Sequence, residues 1–369
     1  MKLQILQENL ERAISITSRF ASAKAQLPIL GNILISTDKS KIFVSSTNLE
    51  ISASVQVGAK IEEEGEISIP SKVISELISN LPKETINLES SKEQLKVKTS
   101  GFSSTVLGMN SSDFPKIPNS VNEGESLVLS KKEFSKALSQ VVFATSLDDT
   151  RPILTGVLFV VSEGSLVLVA TDGFRLSQKT ISLKTKNKLS KKMVIPKNVL
   201  NEISRLGEED ENILCDSQEK EKQVVFGNNN VVLTSRLLEG DYPDYEKIIP
   251  KNSVLKILID KEELLRAVKL GSIFAREVAN VIKFKILKDG IVITAESGQS
   301  GNQEARVDSK VDGLSGDFEI SFNYKFVEDF LHSVQGEEVK MEFSTTMAAG
   351  IFTDSSDSSY LHLIMPVKI

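Results

Sequence analysis

Hydrophobic and polar residues follow one another in an order that predicts a short strand, an amphipathic helix and then further strands. In the clearest example, the apolar alternation at 127–129 leads into Ser130, and Glu133 stands three residues later, as a capping box requires. Apolar residues then recur at helical spacing, at Phe134, Ala137, Leu138 and Val141. The pattern predicts a helix that begins just after Ser130.

The residues after this helix predict a sheet and a second helix. Apolar runs at 157–161 and 166–170 flank a Glu-Gly pair, which is typical of a hairpin. Pro196 precedes Val199, Leu200 and Ile203, which share one side of a predicted helix. The order of strand, helix, strands, helix and strands predicts an α+β unit in which two helices cover one face of an antiparallel sheet.

The chain repeats this unit three times. Pro-Ile-Leu occurs at 28–30 and at 152–154, and Asp-Phe-Pro at 113–115 returns as Asp-Tyr-Pro at 241–243. A fainter third copy of the first helix lies at 263–268. The period is far longer than a solenoid repeat and suits a whole small domain. We therefore predict three similar domains.

The predicted domains meet where the pattern restarts. Linker-like residues at 117–125 and 250–253 are rich in Pro, Asn, Ser and Gly. These segments place the three domains at residues 1–122, 123–250 and 251–369.

Composition is that of an ordinary soluble protein, with 40% hydrophobic residues and a net charge of −6. The acidic balance taken alone argues against a nucleic-acid partner, but an acidic exterior is compatible with a basic inner face. Cys215 is the only cysteine, which excludes an internal disulfide. The first residues lead directly into a strand-like alternation without a signal-peptide pattern, which predicts a cytoplasmic location and no membrane partner.

No pattern for catalysis stands out. The two histidines, His332 and His362, have no metal-ligand spacing around them, and neither a phosphate-binding glycine loop nor a nucleophile elbow occurs. The sequence predicts no catalytic residue, no metal site and no cofactor, and hence a protein that is not an enzyme.

Four motifs together carry a resemblance to a known family. They are Thr-Asp-Gly-Phe-Arg-Leu at 171–176, Leu-Pro-Ile-Leu-Gly-Asn at 27–32, Gly-Asp-Tyr-Pro-Asp-Tyr at 240–245 and the terminal Met-Pro-Val-Lys-Ile at 365–369. With these motifs in their order along the chain, the whole sequence resembles the β subunit of bacterial DNA polymerase III, the sliding clamp.

The resemblance implies a head-to-tail homodimer whose six domains close a ring, with helices lining the hole and sheets on the outside. Such a ring encircles double-stranded DNA and tethers the polymerase III catalytic subunit, which makes synthesis processive. The other implied partners are the clamp loader and further replication and repair proteins.

The resemblance also implies a cleft for partner peptides that contain a Gln and large apolar residues. Carried over position by position, its residues are Leu154, Thr171, Gly173, Phe174, Arg175, Leu176, Pro243, Lys247, Ile248, Phe326, Met347, Leu363, Ile364, Met365, Pro366 and Val367. Phe174, Lys247 and Phe326 depart from the His, Arg and Tyr that are common in the family, which suggests a more apolar peptide preference. Domain core is the alternative interpretation of Leu154 and Leu176.

For DNA, the resemblance implies contacts by Lys24, Lys72, Arg151 and Lys197. Some members carry two aromatic residues directly after the arginine, where this chain has Pro152 and Ile153. At the subunit interface, Ile273 and Phe274 of one chain are expected to pack against the strand around Val106 of the other.

Two interpretations from other classes stay open on the sequence. An enzyme could reuse a duplicated scaffold, since fold does not fix function, but it would need a concentrated polar cleft. A monomeric peptide-binding scaffold without DNA is the second alternative, and the molecular mass at micromolar protein separates it from a dimeric ring.

Overall fold

The structure is a computed structural model that describes residues 1–22, 27–122, 124, 126–183, 191–206, 211–277 and 279–368. The chain forms two compact units. The first unit comprises Met1–Lys131 and Arg205–Leu237, and the second comprises Lys132–Ser204 and Leu238–Ile369. Within the described ranges, no helix is both long and apolar enough to cross a membrane.

The helices are α1 (Gln7–Thr17), α2 (Ser71–Ser79), α3 (Lys131–Val141), α4 (Lys197–Arg205), α5 (Lys261–Ala275) and α6 (Tyr324–Ser333). The strands are β1 (Lys2–Leu6), β2 (Asn32–Asp38), β3 (Lys41–Thr47), β4 (Ile51–Gly58), β5 (Lys60–Glu63), β6 (Glu66–Pro70), β7 (Thr85–Ser91), β8 (Gln94–Lys98), β9 (Ser103–Leu107), β10 (Leu127–Ser130), β11 (Gly156–Ser162), β12 (Ser165–Thr171), β13 (Arg175–Ser182), β14 (Lys191–Pro196), β15 (Asn212–Gln218), β16 (Gln223–Gly227), β17 (Val231–Arg236), β18 (Leu255–Asp260), β19 (Val281–Ile286), β20 (Gly290–Ser297), β21 (Gly301–Asp312), β22 (Phe318–Asn323), β23 (Glu338–Phe343), β24 (Gly350–Asp354) and β25 (Asp357–Ile364).

The order of elements repeats three times along the chain, as the sequence predicts. Each copy opens with one strand and a helix, at β1–α1, β10–α3 and β18–α5, and each has a second helix between two groups of strands. The helix predicted after Ser130 is α3, and the helix predicted after Pro196 is α4. The third copy begins with a side-chain cap, in which Asp260 accepts a hydrogen bond from the Glu263 amide at 2.9 Å.

The first unit contains two antiparallel sheets. Five strands lie in the order β5-β1-β7-β8-β9, and eight lie in the order β10-β15-β16-β17-β4-β3-β2-β6. In the five-stranded sheet alternate residues, such as Ile86 and Leu88 in β7, are buried while their neighbours are exposed. In the eight-stranded sheet β4 and β17 are buried over most of their length. Helix α1 contacts β3 and β4 of this sheet, and α2 contacts β2 and β6.

The second unit is built on one twelve-stranded antiparallel sheet, in the order β14-β11-β12-β13-β25-β24-β23-β18-β21-β20-β19-β22. The predicted hairpin is β11–β12, and Gly164 in its turn has a φ of 74°, which glycine adopts without strain. One core lies beneath α5 and α6 and contains a cluster of aromatic rings, among them Phe322, Phe330, Phe343 and Phe352. These contacts fix the sheet around β25, where the predicted cleft residues lie.

Among the strand edges left unpaired in the described residues, two lie beside the predicted interface residues. Strand β9 pairs with β8 on one side only. Strand β21 pairs with β20 over residues 301–308, but its other side pairs with β18 only through 309–312. Free edges present unpaired amide and carbonyl groups, to which another strand can hydrogen-bond.

Candidate functional site

The loop between β12 and β13 is held rigidly and projects one aromatic side chain. The Thr171 hydroxyl donates to the Arg175 carbonyl oxygen at 2.6 Å and accepts from the Gly173 amide at 3.0 Å. Asp172 accepts from the amides of Phe174 and Arg175, and Gly173 has a φ of 92°. Phe174 is left 61% exposed at the tip. A large apolar side chain held out by a rigid loop is suited to contact a partner.

An apolar floor lies beside this loop. Strand pairing places Leu176 of β13 opposite Leu363 of β25, and Leu363 opposite Ile351 of β24. These three side chains belong to one buried cluster that also contains Leu158 and Val169. The floor is therefore part of the sheet's own packing, and it lies where three strands run side by side.

Several predicted cleft residues are core residues rather than exposed ones. Leu154, Leu176 and Leu363 are 4%, 1% and 2% exposed, and Ile364 is fully buried in the core beneath α5 and α6. For Leu154 and Leu176, burial supports the alternative interpretation as domain core. Such residues can shape a groove from below, but they do not offer it open apolar surface.

The segment after β17 covers part of the same cluster. Tyr242 donates from its hydroxyl to the Val169 carbonyl oxygen at 3.2 Å, and burial raises the pKa of this phenol. Tyr245 and Ile249 also pack against the cluster. The segment is thereby fixed against the sheet.

The exposed side chains of that segment include the predicted cleft residues Pro243, Lys247 and Ile248. Ile248 is 49% exposed. Lys247 forms an ion pair with Asp244 at 2.8 Å, and the hydrogen bond that it donates to Asp244 holds the pKa of Lys247 above its usual value. The segment therefore offers one apolar side chain, Ile248, among charged ones, and the charge of its lysine is matched locally.

The C-terminal tail joins the Phe174 loop to the last strand of the sheet. The Met365 amide donates to the Phe174 carbonyl oxygen, and the Val367 amide donates to the Ser321 carbonyl oxygen, both at 2.8 Å. Met365 is 40% exposed, and Met347 in the loop between β23 and β24 is 55% exposed. Flexible methionine side chains suit a surface that accepts different apolar partners.

Arg175 is a structural junction rather than a free cation. Its guanidinium contacts the carboxylates of Asp172 at 3.0 Å and Asp329 at 2.5 Å, and it donates to the Phe143 carbonyl oxygen at 2.8 Å. It also lies over the Phe326 ring, 4.6 Å from the ring centre. These contacts neutralise its charge and connect the Phe174 loop to α6.

Sequence reasoning placed Arg175 and Phe326 in the cleft but missed Phe143 and Asp329. Asp329 lies 154 residues from Arg175 along the chain. Neither residue belongs to a motif, and no periodicity marks it, because the contact exists only after α6 docks on the sheet. Asp172 stands within the Thr-Asp-Gly-Phe-Arg-Leu motif and could have been identified from it.

His362 is a structural residue of the core. His362 is fully buried, its Nδ1 lies 2.6 Å from the Ser177 hydroxyl and its ring stacks on Phe330. Burial, aided by the charge of Arg175, lowers its pKa well below the ordinary value. Among the described residues, no group of three or more His, Cys, Asp or Glu side chains could hold a metal ion.

The predicted DNA contacts fall at separate places. Lys72 is exposed on α2 in the first unit. In the second unit Arg151 is exposed, and a Cβ added at Gly173 would lie 3.6 Å from its guanidinium. Lys197 is half-buried and donates to the Ser146 carbonyl oxygen at 3.1 Å. Lys24 lies outside the described residues.

The predicted interface residues differ in how much surface they offer. Ile273 on α5 is 56% exposed, whereas Phe274 is half-buried and packs against the core of the second unit. Val106 is buried within the first unit, while its neighbour Leu107 is 68% exposed. The strand that carries Val106 is the free-edged β9.

Three family models match the chain in order and leave only short gaps. They describe the N-terminal domain of the DNA polymerase III beta subunit at residues 1–118, its central domain at 128–244 and its C-terminal domain at 246–368.

Individual relatives match over the whole length. The beta sliding clamp of Staphylococcus aureus is 31% identical, with 100% of this chain and 99% of that protein covered. The crystal structure of the DNA polymerase sliding clamp from Bacillus subtilis has a TM-score of 0.95 at 27% identity and covers 100% of this chain and 99% of that one. The DNA polymerase III beta chain from Streptococcus pneumoniae has a TM-score of 0.94 at 26% identity, with both chains fully covered.

Proposed function

Because the chain belongs to the DNA polymerase III beta subunit family, we propose that it is a non-catalytic sliding clamp. Two copies close a ring around double-stranded DNA, and the ring tethers the replicative polymerase and other DNA-processing proteins. A clamp loader places it on DNA, and it works in the cytoplasm. The observation that carries the proposal is the match of all three domain models, in order, over almost the whole chain.

Each copy contributes three domains, with limits at 1–122, 123–250 and 251–369. The three occurrences of the strand-helix opening, at β1–α1, β10–α3 and β18–α5, support this division. Three domains cannot close a ring around a duplex, while two chains supply six.

The subunits join head to tail through the edge of β9 in one copy and the region of α5 and β21 in the other. The free edges of β9 and residues 301–308 support strand pairing between copies, since each has unpaired backbone groups. Leu107 and Ile273 provide exposed apolar surface for this contact. Phe274 and Val106 belong to the same two elements, but their side chains pack largely within their own units.

DNA is retained by topology, with only weak and non-specific contacts. The proposed contacts are to DNA phosphates and do not read the bases. They are made by Lys24, Lys72, Arg151 and Lys197. Salt screens such contacts, so direct affinity falls steeply with ionic strength. A closed ring is not released by salt in this way, because it is linked to the DNA mechanically.

Partner peptides bind in the second unit, at the surface formed by the Phe174 loop, the tail and the segment 242–249. The exposed side chains of Phe174, Ile248, Met347 and Met365 support an apolar groove. Arg175 is paired with two carboxylates and Lys247 with one, so neither cation is free to bind an acidic partner residue, which favours apolar anchors.

The test is retention on circular and linear DNA in high salt. We expect a clamp loaded on nicked circular DNA to stay bound, and cleavage at one site to release it. Linear DNA with a bulky protein block at each end is the matched control and should retain the ring. Equal retention on open linear and circular DNA would contradict encirclement.

A further inference from the structure

A pocket of about 310 Å³ lies beside the C-terminal tail in the second unit, outside the predicted cleft residues apart from Val367. It is lined by two neighbouring strands and the tail, through Ala279, Val281, Lys283, Thr294, Ala295, Glu296, Val367 and Lys368. Val281, Thr294 and Val367 are half-buried walls, while Lys283, Glu296 and Lys368 are exposed. The pocket is thus apolar inside with charged groups at its rim.

The register of the sheet explains why these side chains converge. Lys283 of β19 lies opposite Thr294 of β20 on one side and opposite Ser321 of β22 on the other. Side chains two residues apart on a strand share a face, so Val281 and Glu296 lie on the same face as this row. The tail is fixed along β22 by the hydrogen bond from the Val367 amide to the Ser321 carbonyl oxygen. It thereby forms one wall of the pocket.

The same tail connects this pocket to the cleft. Met365 is hydrogen-bonded to Phe174 at the cleft, and Val367 lines the pocket two residues later. In an extended chain two residues span about 7 Å. A peptide seated against Phe174 and Met365 can therefore reach the pocket within two or three residues of its own length.

We propose that this pocket receives an aliphatic side chain from the segment of a partner protein that flanks its cleft-binding motif. The proposal rests on the function proposed above and adds a second anchor point to the cleft. The pocket is at the small end of the range of ligand sites, which suits one or two aliphatic side chains. At the rim Lys283 also pairs with Glu319 at 3.8 Å, so the charges of Lys283 and Lys368 are balanced by those of Glu296 and Glu319, and the aliphatic side chain is the anchor.

The test compares a core peptide with extended ones by fluorescence anisotropy on the full-length protein. The core peptide is a hexapeptide with one Gln and two Leu residues, and the extended peptides add three residues that include one Leu, at one end or at the other. Thr294→Trp fills the pocket. Val292→Trp is the matched control, because Val292 lies on the same face of β20 but does not line the pocket.

We expect one of the two extensions to tighten binding to the wild type by about tenfold or more, as burial of one aliphatic side chain allows. Thr294→Trp should remove this gain and leave the core peptide unaffected, and Val292→Trp should preserve both. If neither extension tightens binding, or if the gain survives Thr294→Trp, the pocket is not the second anchor. A change in molecular mass on Thr294→Trp would assign the pocket to a contact between copies instead.

The experiment distinguishes an error in the pocket proposal from an error in the cleft assignment. If the core peptide binds the wild type and the extensions add nothing, only the pocket proposal is overturned. If the core peptide itself does not bind, the cleft assignment is wrong and the pocket proposal falls with it.

Discussion

Replacing Arg175 by Gln should destabilise the second unit and weaken peptide binding together. The guanidinium is 11% exposed and contacts Asp172, Asp329 and the Phe143 carbonyl oxygen. Gln is shorter and neutral, so the change leaves the carboxylate of Asp172, itself 17% exposed, without its cation. An unpaired, largely buried charge is costly. The carboxylates of Asp172 and Asp329 also lose the positive charge that both of them contact.

The expected loss of unfolding free energy is about 3 kcal/mol, at the lower end of the range for breaking a buried ion pair, because Asp329 is 43% exposed and regains water. The contact with the Phe326 ring contributes about 0.5–2 kcal/mol within this loss. Urea unfolding followed by circular dichroism measures it, at one fixed protein concentration because dimerisation shifts the midpoint.

Lys83→Gln is the matched control. Lys83 pairs with Glu8 at 2.7 Å, but its side chain is 75% exposed, and exposed pairs contribute little to stability. Combining Arg175→Gln with Asp329→Asn should cost less than the sum of the single changes, since both remove the same ion pair. If Arg175→Gln costs no more than Lys83→Gln, Arg175 is not the junction described above.

Three further predictions concern assembly, the tail and acid stability. Ile273→Asp should give a folded monomer in sedimentation, while Val254→Asp, at a comparably exposed site, should leave the dimer intact; an unchanged dimer for Ile273→Asp would contradict the interface. Deleting residues 365–369 should weaken peptide binding at least about 100-fold without changing the dimer mass, because several apolar anchors are lost at once; equal dissociation constants would remove the tail from the cleft. Burial favours the neutral form of Asp357, but hydrogen bonds from Lys179 and Ser359 outweigh it and hold the pKa of this carboxyl far below normal, so the stability it contributes is complete above about pH 4 and is lost as pH falls further. Urea midpoints between pH 7 and 3 should therefore fall less for Asp357→Asn than for the wild type, and parallel curves would contradict the assignment.

The sequence predicted elements well wherever the signal is local. The helix after Ser130 and the hairpin with Gly164 at its turn are both present, because capping, helical spacing and turn chemistry act over a few residues. The threefold order of elements followed from the same patterns. The motif at 171–176 likewise forms one hydrogen-bonded loop, which its Thr, Asp and Gly residues specify locally.

The sequence could not separate surface from core at the candidate cleft. Leu176 and Phe174 stand in one motif, yet one is buried and the other is 61% exposed. Leu363 and Ile364 are buried in different clusters, although they are adjacent in the chain. Adjacent residues of a strand point to opposite faces, so their burial depends on what packs on each face.

By itself, then, the sequence determined the α+β class, the threefold repetition, the helices that follow Ser130 and Pro196, and the Phe174 loop, since these depend on neighbours within a few residues. Tertiary structure alone decided that Arg175 is neutralised by Asp329, that the tail lies along β22 and that a pocket opens beside Val367. Each of these features joins segments far apart in the chain. They arise from sheet register and helix docking, in which the free energy of burying apolar surface selects the partners, and no local pattern encodes that selection.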